Sequence, residues 1–355
     1  MAERTYLRPT GFVDAPFGND GKVARLAGGL NWFSAVELIR AEGARAVSEL
    51  IPVERFEPPA ELAETWARLT GPRALLRLGE RVVRLDQPQV VGIVNVTPDS
   101  FSDGGRHEDM QVASEAGHAM AAAGAAIVDV GGESTRPGAR PVWEGDEVKR
   151  VRPVVEQLAR AGTAVSVDTR KASVMEAALG AGAGMINDVS ALTFDERAAA
   201  TVAAAGCPVV LMHHQGSPET MQKEPRYDRP VLLEVFDWLE ARIAAAVAAG
   251  IDRSRIVVDP GIGFGKTVAH NLQLLNGLGL LHGLGCAIML GASRKRMIGA
   301  LAGEAEADQR LPGSLALALK GAEQGAQLLR VHDVPETVQS LKVWRGLRDA
   351  ALTPA

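Results

Sequence analysis

The sequence predicts an α/β protein built on a (β/α)8 TIM barrel, preceded by an N-terminal hairpin plug and a small N-terminal α/β extension. Eight short apolar runs rich in Val and Ile alternate with longer Ala-, Leu- and Glu-rich segments of helical period. The runs are apolar on both faces, as expected for parallel strands that are covered on both sides. Every run ends in a polar residue, whereas an open doubly wound sheet needs polar residues only at its switch point.

The eight runs are the predicted barrel strands. In chain order they are VVGIVNV ending near Asn95, AAIVDVGG around Asp129, TAVSVDT ending near Asp168, GMINDV ending near Asn187, PVVLMHH ending near His213, RIVVDPG ending near Asp259, AIMLGAS ending near Ser293, and QLLRVHD ending near Arg330 and His332. The stretch from about Pro88 to Asp333 approaches the ~250 residues usual for such a barrel. An open sheet is disfavoured because no G-x-G-x-x-G motif follows the first run.

A different pattern precedes the barrel, and we predict an extension over residues 1–72 and the barrel domain over residues 73–355. Asn31 to Glu42 is predicted to be an amphipathic helix, AVSELIPV a strand, and Pro58 to Leu69 a second helix with proline at its start. The run ALLRLGERVVRL contains a strand, a glycine turn and a second strand, which is typical of a hairpin. Its position predicts that it plugs the N-terminal mouth of the barrel. The extension itself predicts no chemistry.

The composition is that of an ordinary soluble protein, with 46% hydrophobic and 23% charged residues. A net charge of −5 without a dense Lys/Arg stripe argues against nucleic acid or an anionic membrane as the main partner. No secretory signal and no membrane-spanning apolar run is evident. Cys207 and Cys286 each precede a predicted strand, so we expect buried, reduced thiols and a cytoplasmic location.

Polar residues at the predicted strand ends are the candidate active site. They are Asn95, Asp168, Asn187, Asp259, Ser293, Arg330 and His332. In barrels of this kind the C-terminal strand ends and the loops after them face the site. Any single Asp here could merely cap the next helix, at about even odds. Seven such residues together make a purely structural interpretation weak.

Two loops add further candidates. The polar segment VNVTPDSFSDGG follows the first run and predicts a mobile loop over the site. Asn95, at its start, offers an amide oxygen suited to a hard cation such as Mg2+. The segment GGESTRPGA places Arg136 between Thr135 and Pro137 on a loop, where an arginine is suited to an anion. Alone, this arginine would be an ordinary solvated charge.

The strand-end residues divide by charge. Arg330 and His332 are two apart on a strand, so they point to the same side and suit a pair of phosphate oxygens. Lys295 adds a third cation, and three cations with Mg2+ suggest a pyrophosphate leaving group. The second group consists of Asp168, Asn187 and Asp259. Inward carboxylates without a permanent cation nearby would bind the paired N–H donors of a 2-amino-4-oxo pyrimidine edge. The alternative is a buried network with Lys295.

Eight segments in order resemble the pattern of the dihydropteroate synthases. They are VVGIVNVTPDSFSDGG, VDVGGESTRPGA, SVDTRK, INDVSAL, LMHHQGSPETMQ, VDPGIGFGKTVAHN, GASRKRMIG and LLRVHDV, and they cover the whole barrel. The resemblance implies an enzyme of folate biosynthesis that joins p-aminobenzoate to 6-hydroxymethyl-7,8-dihydropterin diphosphate, giving 7,8-dihydropteroate and pyrophosphate. It also implies Mg2+ and a homodimer formed through helices late in the barrel.

The resemblance further implies a role for each residue that matches a motif. Asn95 would ligate Mg2+. The pterin ring would be held by Asp168, Asn187, Asp259 and Lys295, with Met212 and Phe264 packed on it. Arg330 and His332 would grip the diphosphate, with Thr135 nearby. The p-aminobenzoate pocket would be shaped by Phe101, Arg136, Pro137 and Ser293. The residues implied in catalysis are Asp168, Lys295, Arg330 and His332.

Three features depart from the family pattern. His214 stands where the family often has Met, Ile262 replaces a frequent Phe, and the N-terminal extension is not part of the usual pattern.

Two other functions remain open at this point. A methyltetrahydrofolate methyltransferase would keep the pterin carboxylates but has no need of Arg136 or of the Arg330 and His332 pair. A catalytically silent pterin-binding paralogue would lack the Mg2+ ligand or the anion grip, and this sequence keeps both.

Overall fold

The computed structural model describes residues 4–96, 106–134, 141–216 and 220–352, with only the backbone of residues 106–109. Within them, eight parallel strands close into a barrel in the ring order β7-β8-β9-β10-β11-β12-β13-β14. The strands are β7 (Gln89–Asn95), β8 (Ile127–Gly131), β9 (Val165–Asp168), β10 (Met185–Asp188), β11 (Val209–Met212), β12 (Ile256–Asp259), β13 (Ala287–Leu290) and β14 (Leu328–Val331). The last strand pairs with the first, Leu328 opposite Gln89, which closes the ring. The predicted barrel is confirmed.

Helices surround the barrel on its outer side. They are α2 (Arg106–Ala122), α3 (Glu144–Arg160), α4 (Ala172–Gly180), α5 (Ala198–Ala205), α6 (Val231–Ala248), α7 (Val268–Asn276), α8 (Arg296–Leu301), α9 (Leu311–Glu323) and α10 (Val334–Ala351). Strand side chains alternate between two cores, as the period of two requires. In β8, for example, Val128 and Val130 pack with the buried side of α3, whereas Ile127 packs with residues inside the barrel. No helix of the described chain is long and apolar enough to cross a membrane.

The predicted hairpin is confirmed, and it plugs the N-terminal mouth. Its strands are β5 (Leu76–Leu78) and β6 (Arg81–Val83). Leu76, Leu78 and Val83 pack in one cluster with strand residues that point into the barrel. Burying each such side chain stabilises the fold by about 1.5–3 kcal/mol. The contact is close, because a Cβ on Gly184 would lie 2.6 Å from the Cα of Leu78.

The extension contains one element that the sequence analysis predicted wrongly. Asn31 to Glu42 is not a helix: Trp32–Glu42 is strand β3, which pairs antiparallel with β1 (Arg4–Val13). The strand buries side chains on both faces, with Val36 and Leu38 in one cluster and Ile39 and Ala41 in another. Apolar residues on both faces do not alternate, and their spacing then imitates a helical stripe. The long-range pairing with β1 favours the strand over the helix for this segment.

The other predictions for the extension are confirmed. AVSELIPV forms β4 (Arg45–Pro52), which pairs with β3, and β2 (Ala24–Arg25) completes a four-stranded sheet. The second predicted helix is α1 (Ala63–Thr70), which follows a 3-10 turn at Ala60–Leu62. It therefore starts a few residues later than expected.

The extension is attached to the outside of the barrel by specific polar contacts. The hydroxyl of Tyr6 donates to Asp237 of α6 at 2.9 and 3.0 Å. Asn31 donates to the carbonyl of Ala322 near the end of α9 at 2.6 Å. These two contacts join the extension to two helices of the barrel domain. Just after the extension, Arg73 donates to the carbonyls of Cys286 and His282, both at 2.9 Å. The boundary at residue 72 stays a prediction.

Candidate active site

The C-terminal strand ends bring one polar network together across the barrel mouth. Arg330 of β14 is at its centre, with Nε 2.6 Å from Asp129 Oδ2 and Nη2 2.8 Å from Asp168 Oδ2. Asn187 of β10 donates its amide to Asp129 Oδ2 at 2.9 Å. The neighbouring strands β8, β9 and β10, together with β14 on the other side of β7, thus place their side chains in one hydrogen-bonded group. The network brings together three of the predicted site residues, Asp168, Asn187 and Arg330.

The charge balance of this network differs from the sequence expectation. Asp168 was expected to have no permanent cation nearby, and this is wrong because Arg330 is bonded to it. Burial raises the pKa of Asp168, the Arg330 guanidinium opposes that rise, and the carboxylate of Asp129 adds to it. Two carboxylates share one guanidinium, so the group carries one excess negative charge when both are ionised. It is suited to stabilise a cation on a ligand.

Asp129 is a site residue that the sequence analysis missed. It lies inside β8 rather than at the strand end, and its side chain is buried. A carboxylate within an otherwise apolar strand is costly unless it is paired, and this signal could have identified it. Its Oδ1 is buried and has no hydrogen-bond partner within the described chain. Buried polar atoms are usually satisfied, so this oxygen is an available acceptor for a ligand N–H.

A second group lies beside the network, on β12 and on the loops after β12 and β13. Asp259 is buried and accepts the backbone N–H of Gly261 at 2.7 Å. Burial raises the pKa of Asp259, which the Gly261 N–H, Lys295 and Arg330 oppose. The Nζ of Lys295 lies 4.2 Å from the ring centroid of Phe264, a cation–π contact. The ends of β12 and β13 therefore place a carboxylate, an ammonium and an aromatic face close together, as the sequence analysis expected.

The loop after β12 needs glycine at its first turn. Gly261 has a φ of +66°, and a Cβ there would lie 1.9 Å from the carbonyl oxygen of His213. The same Cβ would come within 3.4 Å of Met212, the last residue of β11. Because the loop passes so close to β11, Met212 lies beside the residues predicted to hold the ring.

Lys266 is buried behind the loop. Its Nζ lies 2.8 Å from His213 Nδ1 and donates to the carbonyl of Phe264 at 3.0 Å. Burial lowers the pKa of Lys266 to about 7, although Asp259 opposes this shift. Burial and Lys266 also hold the pKa of His213 well below its usual value, so His213 is neutral and accepts the bond. The pair supports the loop that carries Phe264.

The two other departures from the family pattern are accommodated locally. Nδ1 of His214 lies 3.2 Å from the carbonyl of Gly216, and its ring meets Trp238 edge-on. Ile262 is fully buried in the main core, in agreement with a packing change. The described chain contains no cluster of three or more His, Cys, Asp or Glu side chains arranged for a metal.

His332 differs from its expected role as a cation. Burial, with help from Arg330, lowers the pKa of His332 to about 4, so the ring is neutral near pH 7. Ser293 Oγ accepts the backbone N–H of His332 at 3.2 Å and lies 3.0 Å from its Nδ1. When this hydroxyl donates to Nδ1, the ring proton stands on Nε2. His332 is then a neutral hydrogen-bond donor beside the charged Arg330.

The remaining predicted residues divide into two groups. Asn95 ends β7 and lies opposite Gly131 of β8. Its side chain is half-buried and makes no hydrogen bond to another part of the chain that the structure describes. The second group lies outside the described residues and consists of Phe101, Thr135, Arg136 and Pro137.

The comparisons with known proteins decide the family. The family model for pterin binding enzymes matches residues 91–332. The dihydropteroate synthase of Escherichia coli (strain K12) is 47% identical over 260 residues, which is 73% of this chain and 91% of that protein. This chain belongs to the dihydropteroate synthase family. It is accordingly a transferase of folate biosynthesis, as the motif resemblance implied.

Solved structures agree with this family. A dihydropteroate synthase of Xanthomonas albilineans with 4-aminobenzoic acid is 49% identical, with a TM-score of 0.73, over 78% of this chain and 98% of that chain. A structure of the same bacterium's enzyme in complex with 7,8-dihydropteroate is 47% identical, with a TM-score of 0.71, over 78% of this chain and 99% of that chain. About a fifth of this chain lies outside each match.

Proposed function

We propose that this site joins p-aminobenzoate to 6-hydroxymethyl-7,8-dihydropterin diphosphate, giving 7,8-dihydropteroate and pyrophosphate. The observation that carries the proposal is the network of Arg330 with Asp129 and Asp168 at the barrel mouth. It offers both an excess of negative charge for a cationic ring and a guanidinium for a leaving anion. The related structures with 4-aminobenzoic acid and with 7,8-dihydropteroate support the same pair of ligands.

The pterin ring would occupy the space between the network and the β12 loop. Asp259 is a buried acceptor for the paired N–H donors of the 2-amino-4-oxo edge. Asn187 and Asp129 Oδ1 add further hydrogen-bonding groups. Met212 and Phe264 would pack on the ring faces, and Lys295 beside Phe264 would bond to a ring acceptor.

The diphosphate would bind at the end of β14. Arg330 uses two of its five N–H groups on carboxylates, which leaves donors for phosphate oxygens. The neutral His332 would donate from Nε2, with Ser293 fixing the tautomer. These donors act where charge accumulates on the leaving group.

Mg2+ fits this site as a partner of the substrate rather than as a fully caged ion. The described chain has no multidentate carboxylate cluster, and Asn95 supplies a single amide oxygen at the correct edge. Mg2+ at phosphate sites is commonly held by one or two protein groups together with phosphate oxygens and water. Asn95 would be its protein ligand, and the bound ion would neutralise charge on the diphosphate.

The chemistry breaks one bond and forms one. The C–O bond between the pterin methylene and the diphosphate breaks, and pyrophosphate leaves with the electron pair. The positive charge left on the methylene spreads into the dihydropterin ring, where the carboxylates of Asp168 and Asp129 stabilise it. The amine of p-aminobenzoate then attacks the methylene, and its surplus proton passes to solvent. No strong general base is needed, because an arylamine has an unprotonated lone pair at neutral pH.

The p-aminobenzoate pocket would involve residues after β7, β8 and β13. Phe101, Arg136 and Pro137 come from the first two loops, and Thr135 would lie towards the diphosphate. Ser293, which is buried beside His332, comes from the third. Excluding water from this pocket would protect the ring cation from hydrolysis.

We further propose a homodimer through helices late in the barrel. Val343 and Leu347 of α10 are 60% and 69% exposed and stand one helical turn apart. Large apolar side chains on one exposed helix face are suited to a partner surface.

The thiols of Cys207 and Cys286 are buried and form no disulfide, which fits a reducing compartment and supports a cytoplasmic location.

Pyrophosphate release from the dihydropterin diphosphate tests the proposed reaction. We expect release that requires p-aminobenzoate, stops when EDTA removes divalent cations, and returns with Mg2+. Asp146→Asn on the exposed side of α3 serves as the matched control for substitutions in the site. A chain that binds the pterin but releases no pyrophosphate would instead be a silent paralogue. Release that is independent of p-aminobenzoate would make the chain a hydrolase.

A further inference from the structure

A buried ion network lies behind the ends of β8 and β9, outside the groups discussed so far. Its centre is Lys171, which follows β9 and precedes α4. The Nζ of Lys171 lies 3.0 Å from Glu133 Oε1 and 2.5 Å from Glu147 Oε2, and it donates to the carbonyl of Val142 at 2.8 Å. All three donor positions of the ammonium are thereby used.

Two partners of Lys171, Glu133 and Val142, lie on either side of residues 135–140, the segment between β8 and α3. The two sides are also bonded directly, because the backbone N–H of Val142 donates to Glu133 Oε1 at 2.9 Å. The ammonium and this bond therefore hold the entry and the exit of the loop together. We call these three residues, Glu133, Val142 and Lys171, the loop tether.

The tether is electrostatically balanced. Arg170 Nε lies 3.0 Å from Glu133 Oε2, so two cations face the two carboxylates of Glu133 and Glu147. Burial favours the neutral acid, but the Val142 N–H and the cations of Arg170 and Lys171 lower the pKa of Glu133. The carboxylate is thus held in the charged form that the tether needs.

The tether is also joined to the reaction centre. The hydroxyl of Thr169 donates to Glu147 Oε1 at 2.6 Å. Thr169 directly follows Asp168, whose carboxylate is bonded to Arg330. One buried network thus fixes the ends of the loop relative to Asp168.

We propose that Lys171 is a positioning residue for p-aminobenzoate, because it fixes both ends of the loop that carries Thr135, Arg136 and Pro137. The inference rests on the proposed function, which assigns this loop to the p-aminobenzoate pocket. Lys171 touches neither reacting group and acts through the loop. A displacement of about 1 Å in a positioning element can cost up to roughly 100-fold in rate. Asn187 and Asp259, which would hold the pterin ring, lie on β10 and β12, and their hydrogen bonds run to Asp129 and Gly261 rather than to the tether.

The test compares Lys171→Met with Glu147→Gln in the full chain. The first removes the tether, whereas the second neutralises a carboxylate of the same network and leaves Glu133, Val142 and Lys171 bonded. We expect Lys171→Met to raise the KM for p-aminobenzoate by about tenfold or more, while the dissociation constant of a bound pterin changes by less than about twofold. Glu147→Gln is expected to lower the melting temperature but to leave the KM for p-aminobenzoate within about twofold.

Two outcomes would overturn the inference. One is a KM for p-aminobenzoate that is unchanged in Lys171→Met, and the other is an equal loss of pterin binding. If Lys171→Met does not fold, Glu133→Ala replaces it, since Lys171 then keeps Glu147 and the Val142 carbonyl, and the same split is expected. The wild-type chain is assayed first. Absence of p-aminobenzoate-dependent turnover there would contradict the proposed function itself, whereas failure in the variants alone would contradict only the role of Lys171.

Discussion

Replacing Asp129 by Asn separates recognition from stability at the centre of the site. The substitution keeps the shape of the side chain but removes the charge of Asp129 Oδ1, which has no hydrogen-bond partner within the described chain and would accept an N–H of the ligand. A hydrogen bond to a charged group contributes about 1.5–3 kcal/mol. Losing it corresponds to a fall in kcat/KM for the dihydropterin diphosphate of about 10- to 150-fold.

The same structure predicts little effect of Asp129→Asn on folding. The wild-type network has two carboxylates and one guanidinium, and the variant has one of each. Because a buried excess charge is removed, we expect the free energy of unfolding to fall by less than about 1 kcal/mol. Urea unfolding measures this, and titration calorimetry with a pterin measures recognition.

Asp188→Asn is the matched control for this prediction. Asp188 is buried at the end of β10, two strands along the ring from β8, but it accepts bonds from Ser190 and from the backbone N–H of Leu192. We expect this variant to lose stability and to keep its pterin affinity. If Asp129→Asn kept full kcat/KM, or if both variants lost stability and affinity alike, the assignment of Asp129 to the substrate would be refuted.

Three further predictions follow from charge and exposure. Asp168→Asn should lower kcat more than it weakens pterin binding, and equal losses in stopped-flow and binding assays would assign Asp168 to recognition alone. His282 is fully buried, and burial lowers its pKa to about 3, so the unfolded chain binds a proton below pH 6.5 that the folded chain refuses. His282→Gln should therefore reduce the loss of unfolding free energy between pH 6.5 and 4.5 by about 2 kcal/mol, measured with urea at both pH values. Val343→Lys with Leu347→Lys should yield monomers in analytical ultracentrifugation, whereas Leu75→Lys, an exposed apolar residue elsewhere, should not.

The strand ends could be predicted because polar residues after apolar runs are conspicuous in a sequence. Asp168 and Asp259 each end a strand of the barrel, as expected. Asp129 escaped because it stands inside its strand, where the surrounding residues suggest only a core position. Its role depends on contact with Arg330, which is 201 residues away in the chain. No local pattern contains that contact.

Protonation and pairing could not be predicted for the same reason. His332 was expected to be a cation beside Arg330, but its burial and that neighbouring charge make it neutral. Likewise β3 imitates a helix in sequence because two different clusters cover its faces. In both cases the deciding interactions come from segments distant in sequence, which only the folded chain brings together.

The most direct test of the proposed reaction is the identity and stoichiometry of its products. The chain is incubated with isotopically labelled p-aminobenzoate, the dihydropterin diphosphate and Mg2+, and both products are quantified by mass spectrometry and a pyrophosphate assay. We expect labelled 7,8-dihydropteroate and pyrophosphate in a ratio of one to one. Pyrophosphate accompanied by free hydroxymethyl-dihydropterin, with no label in a pterin product, would contradict the account.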